Sequence, residues 1–184
     1  MKKRLRIEYF LVAAVMLLLF VGSIAATNFF FQKEMVAQQE TYLRRKNTLL
    51  TDQLPPSVFE KGQLTNQQQL LVTHALDDAE ERVTLLQKNG TVFFDSSQNE
   101  PLESHKKRPE IAAVLSGATY GSALRKSKTL NKELLYVATP VLKSGEIVGI
   151  IRISEQTALF SKNIQRSEER RVGKECRSRW PPYH

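Results

Sequence analysis

Cysteine and tryptophan are absent from residues 1–165, and the single copy of each falls in residues 166–184. Residues 1–165 therefore offer no disulfide framework, no thiolate metal site, no catalytic thiol and no lipid-bearing cysteine. Histidine is scarce too, at three residues, and none of the three belongs to an H-E-x-x-H or other metal-spaced cluster. The glycines of GEIVG (145–149) stand at a strand turn with no helix after them, so they do not form a phosphate loop. No residue set for catalysis or for holding a cofactor or metal is expected in this chain. A strongly basic body is also lacking, although the net charge is +8. MKKRLRIE carries four basic residues against one acidic, and residues 166–184 carry six against three, which leaves +2 for residues 9–165. That distribution argues against a nucleic-acid partner.

Residues 166–184, RSEERRVGKECRSRWPPYH, admit three readings: a phosphate-contacting tail with one aromatic, a disordered tail, or no biological segment at all. The run resembles the translation of a sequencing-library adapter, departing at Pro181 where serine is expected. On that basis it is set aside from the reasoning on fold and function.

What is present first is a long apolar run. Residues 9–31, YFLVAAVMLLLFVGSIAATNFFF, carry no charge, and at about 1.5 Å per residue they exceed a hydrocarbon core of about 30 Å. Lys2, Lys3, Arg4 and Arg6 precede the run, whereas Lys33 beside Glu34 follows it. This bias predicts a transmembrane helix in the cell membrane, uncleaved, with residues 1–8 as a cytoplasmic tail and the remainder outside. Beyond it, Met35-Val36, Tyr42-Leu43 and Leu49-Leu50 recur one heptad apart until Pro55-Pro56. The spacing predicts a helix with one narrow stripe, for which Tyr42, Leu43, Leu49 and Leu50 are candidate dimer contacts. Gln39 and Lys46 interrupt the second core position, so the stripe fits a homodimer seam or packing on the chain's own sheet.

Residues 64–81 have helical spacing, with His74 on the face of Leu70, Leu71 and Ala75 as a core histidine. Asp77, Asp78, Glu80 and Glu81 are expected to form a solvated helix end. The period then becomes strand-like. RVTLLQ (82–87) and TVFF (91–94) flank Lys88-Asn89-Gly90 as a hairpin, and a polar loop follows to Lys107. PEIAAVLSG starts a short helix at Pro109 and ends it at Gly117. Strands are predicted at 120–127, 133–141 and 147–154, the last two joined by a turn at 143–146. In the last strand Ile147, Gly149, Ile151 and Ile153 share one face, opposite Arg152. The fold class is α+β: a transmembrane helix continuing into a long helix, then a five-stranded antiparallel sheet with helices on one side.

The blocks FFDSS (93–97), SHKKRPEI (104–111), RKSKTLNKELLYVATPV (125–141) and EIVGIIRIS (146–154), in that order, resemble the sensor region of membrane histidine kinases of the phosphate-responsive, PhoR type. Ser104 departs from an expected asparagine. The resemblance implies a Cache (PAS-like) sensor domain over residues 32–153, the start of a connecting helix over 154–165, and a homodimer. A second transmembrane helix, a kinase core using ATP and Mg2+, and a response regulator partner are implied beyond the chain. The class alternatives are a membrane-anchored binding module or the input domain of a chemoreceptor. Lys106, Lys107 and Arg108 before one helix, and Arg125, Lys126 and Lys128 on a strand and its turn, form two cationic groups. His105, Lys107, Arg108 and Arg125 are the candidate contacts for a signal or an anion. The two groups also fit ordinary surface charge, and Arg108 and Arg125 fit equally a structural tie to Asp95 or Glu110.

Overall fold

The structure, a computed structural model, describes residues 2–76, 81–97, 104–126 and 132–157, and side chains from Tyr9 onward. The chain divides into two compact units, Met1–Gln38 and a second beginning at Gln39. Helix α1 covers Lys2–Gln53. In the first unit its large apolar side chains are uncovered, with Phe10 74% and Leu18 72% exposed. Among the described residues this is the one helix long and apolar enough to cross a membrane. Exposed phenylalanines and leucines at that density are stable in hydrocarbon and costly in water.

In the second unit α1 stops at Gln53, since Pro55 and Pro56 cannot continue its hydrogen bonds. Pro56 instead opens α2 (Pro56–Lys61), an element the sequence reading lacked, with Pro at the first position and Gly62 in the left-handed cap at φ 65. Helix α3 (Asn66–His74) begins with a capping box between Thr65 and Gln68. The strands are β1 (Arg82–Gln87), β2 (Val92–Asp95), β3 (Gly121–Lys126), β4 (Glu133–Lys143) and β5 (Glu146–Gln156), with α4 (Pro109–Leu115) between β2 and β3. All pairings are antiparallel in the order β2-β1-β5-β4-β3, so the last strand is central.

The α+β class and the five antiparallel strands agree with the sequence. The helices, expected on one side, lie on both faces of the sheet. Ile111 and Val114 of α4 pack on Leu86, Ala138 and Ile150, while a Cβ at Gly149 would strike the ring of Phe59 from α2. Neighbouring positions of β5 point to opposite faces, so α2 and α4 cover opposite sides. Both faces of β5 are buried for this reason.

Two further differences have local causes. Val141 pairs with Gly149 but Leu142 with Ile147, leaving Val148 as an extra residue. This bulge turns Ile147 onto the α4 face, where it joins Ile150, and away from Gly149, Ile151 and Ile153. At the β1–β2 hairpin only Gly90, at φ 86, is left-handed. Asn89 contributes instead through its side chain, whose oxygen accepts from the Thr91 amide. In the β4–β5 turn both Ser144 and Gly145 have positive φ, the requirement of a two-residue turn that follows strand twist.

β5 runs to Gln156, so Ser154, Glu155 and Gln156 belong to the sheet and not to a connecting helix. Residues 158–165 of that predicted helix, residues 166–184, Asp77, Asp78 and Glu80, Lys128 and the loop centre 98–103 lie outside the described residues. Glu81, expected in a solvated helix end, is buried and accepts from Lys46 at 2.6 Å and Tyr42 at 3.3 Å. His74 is exposed; on α3 Val72 is the residue that faces inward.

Candidate functional site

The α4 face of the sheet carries an ionic cluster. Period-two alternation places Thr84 of β1, Asp95 of β2, Gly121 and Arg125 of β3, Tyr136 and Ala138 of β4, and Ile150 and Arg152 of β5 on this face, with cross-strand pairs Thr84↔Asp95, Thr84↔Arg152 and Ala138↔Arg152. Apolar packing under α4 occupies one end and the charges the other.

Arg152 is 2% exposed. Its Nη2 donates to Thr84 Oγ1 at 2.9 Å and its Nη1 to Glu110 Oε1 at 3.3 Å. Burial, added to by Arg108, Arg82 and Arg125 and opposed by Glu110, brings the guanidinium down to about 10. Glu110, in the first turn of α4, is 0% exposed and takes a second bond from Arg125 Nη2 at 2.9 Å on the same oxygen. Arg125 lies 3.7 Å from the centre of the Tyr136 ring, so the π face supplies part of what solvent would. Glu110 reaches this position because the α4 backbone rests on Gly121, where any Cβ would strike the Glu110 carbonyl. Gly121 is thus a close-approach position.

A second strand of the cluster runs from Thr84, whose hydroxyl donates to Asp95 Oδ2 at 2.9 Å. Asp95 receives Arg82 Nε on both oxygens, at 2.8 and 3.0 Å, and the Ser97 amide at 3.0 Å. His105 is buried, and its amide donates to the Gly90 carbonyl at 2.9 Å. Arg108 Nη2 lies 3.1 Å from His105 Nε2; a guanidinium can only donate, so Nε2 accepts and the ring is neutral with its proton on Nδ1. Burial first, then Arg152, Arg108, Arg82 and Arg125, hold the imidazole down at about 3. Arg108 is itself lowered, by burial and then by Arg125.

Of the sequence candidates, His105, Arg108 and Arg125 are brought to this cluster, while Lys107 and Lys106 are exposed. The tie of Arg125 to Glu110 is present; Arg108 meets His105. Sequence reasoning gave no role to Arg152, Arg82, Thr84 or Tyr136. The available signal was Arg152 itself, a charge inside the β-branched run IIRIS.

The opposite face receives the second unit's part of α1. Leu43 and Leu50 of α1, and Leu54 just past its end, are buried at 0, 2 and 1% exposure, with Gln39 and Asn47 on the same row of the helix. Asn47 Nδ2 donates to the Val137 carbonyl at 3.0 Å, and Gln39 Nε2 to Glu155 Oε2 at 3.0 Å. The candidate dimer contacts are therefore divided. Leu43 and Leu50 are used by the domain's own core, Tyr42 is half-buried against Glu81, and Leu49 alone is open, at 60% exposure. The true buried row steps by three and four residues, and adjacent apolar pairs hid which member of each pair lies on it.

The profile of the single Cache-like family matches residues 52–156. No curated protein matches the chain in sequence. Among solved structures, the sensor domain of the V. cholerae histidine kinase DctB superposes with a TM-score of 0.57 at 18% identity, covering 72% of this chain and 54% of that one. The E. coli DcuS sensor domain gives 0.51 at 13%, covering 72% and 98%. The ligand-binding domain of the C. jejuni chemoreceptor Tlp3, in complex with L-valine, gives 0.50 at 14%, covering 71% and 57%. The chain thus spans about half of the DctB and Tlp3 domains, and at these identities the likeness is one of fold.

Proposed function

For a chain that belongs to the single Cache-like family, we propose a role as the extracytoplasmic sensing input of a membrane histidine kinase of the phosphate-responsive type. The observation that carries this reading is a Cache fold placed in sequence directly after a membrane-length apolar helix with a basic leading flank. The four sequence blocks shared with the PhoR type support the finer assignment. In this reading the N-terminus is cytoplasmic, two copies act together, and a signal biases a two-state arrangement of the sensor. Phosphotransfer, with its ATP, Mg2+ and response regulator, belongs to a kinase core beyond this chain.

The fold shared with a chemoreceptor's ligand-binding domain supports a second reading, the input domain of a chemoreceptor. Chimeras separate the two. Residues 1–157 are joined to the second membrane helix and kinase core of a PhoR-type kinase, or to the signalling half of a chemoreceptor, and output is followed during phosphate limitation. A phosphate-dependent response from the kinase chimera alone is expected. Constant output from that chimera, with regulated output from the other, overturns the kinase assignment.

A further inference from the structure

The α4-face cluster is unevenly balanced. Among the described residues it contains four guanidiniums, Arg82, Arg108, Arg125 and Arg152, against the carboxylates of Asp95 and Glu110, with His105 neutral. Asp95 is committed to Arg82. Glu110 serves both Arg125 and Arg152 through the single oxygen Oε1; its Oε2 is buried without a partner. Arg152 Nε and Arg125 Nε are likewise buried and unpartnered. One carboxylate oxygen thus answers two cations, the buried Arg152 and the partly exposed Arg125, while Arg108 meets only a neutral ring. Buried charge is stable only when paired and hydrogen-bonded, and planar guanidinium forks match oxyanions two bonds at a time.

We propose that Glu110 occupies, with its own carboxylate, an anion site framed by Arg108, Arg125 and Arg152, and that a small dianionic oxyanion exchanges with it. This rests on the sensory reading above and names the ligand class of that domain. With Glu110 displaced, three guanidiniums face the ligand and favour a dianion over a monoanion, and both dicarboxylates and inorganic phosphate have this chemistry. Displacing Glu110 acts directly on the first turn of α4, which is seated on Gly121 without an intervening side chain. Ligand exchange would therefore be read as movement of that helix.

The test is titration calorimetry on the full chain in detergent micelles with succinate, inorganic phosphate and acetate. Saturable binding of one dianion and none of acetate is expected, and which dianion binds identifies the source. Glu110→Gln removes the internal competitor and should tighten binding by about tenfold or more; Arg125→Gln should weaken it comparably, since each removes or frees one charge-assisted bond. Arg125 suits this purpose because its side chain is 27% exposed, so folding should survive, as circular dichroism would verify. Binding by neither dianion in folded native and Glu110→Gln chains, or equal affinity in the two, overturns the proposal. A reporter fused after residue 157 separates the levels. If it lies outside the cell while titration fails, the anion site falls alone; if it lies in the cytoplasm, the sensory reading falls with it.

Discussion

The two faces of the sheet differ in how much of their buried surface is apolar and in how their charges are balanced. Under α1 and α2 the contacts are mostly leucines, valines and Phe59, and the polar groups that enter include the amides Asn47 and Gln39 and the buried carboxylates Glu155 and Glu81, met by Gln39 and Lys46. Under α4 the same strands present Arg152, Thr84, Asp95 and Arg125 around Glu110. A mostly apolar face gains stability from area, and its buried carboxylates each have a donor of their own. An ionic face with more cations than anions is sensitive to whatever charge reaches it. The difference is one of balance: carboxylates are matched on one side and, among the described residues, outnumbered by guanidiniums on the other.

The sharpest way to break this comparison is Arg152→Met. It leaves Glu110 with Arg125 alone and should cost about 3–5 kcal/mol in denaturant unfolding of the full chain. Adding Glu110→Gln should recover part of the loss; a cost below about 1 kcal/mol would mean that the ionic side is not needed to hold α4. On the apolar side Leu50→Ala should cost about 2–5 kcal/mol by opening a cavity. Gly149→Ala should cost about 1–3 kcal/mol, because the new methyl meets Phe59.

The pH dependence separates the faces next. His105 is neutral in the folded chain, with its proton affinity lowered from 6.5 to about 3. Below about 6.5 the unfolded chain takes up this proton and the folded chain does not, so the unfolded state gains. The melting temperature should be highest above that pH and fall between about 6.5 and 3, and His105→Gln should flatten the fall. The smallest effect is expected at Leu49, the open neighbour of Leu50: Leu49→Ala should stay within about 0.5 kcal/mol. A larger loss that grows with dilution would show that a second copy covers it.

Much of the fold was legible because its signals are local. Pro109 and Gly117 bracket α4, Gly90 and Ser144-Gly145 turn the two hairpins, and alternation marks the strands. The candidate site was legible only in part. His105, Arg108 and Arg125 stood out as charges near element ends, whereas Arg152 sat in an apolar strand whose partner was unknown.

By itself the sequence determined a membrane-length apolar helix, the α+β class, the strand positions and their turns, since each depends on residues within a few positions of one another. Only the tertiary structure decided which row of α1 is buried, that Ile147 changes face at the Val148 bulge, that helices cover both sides, and that Arg152 meets Glu110. Those outcomes join groups 42 positions apart in the case of Arg152 and Glu110, and 116 in the case of Gln39 and Glu155. Burial and ion pairing follow from which distant segment arrives beside a residue, and no period within one segment encodes that.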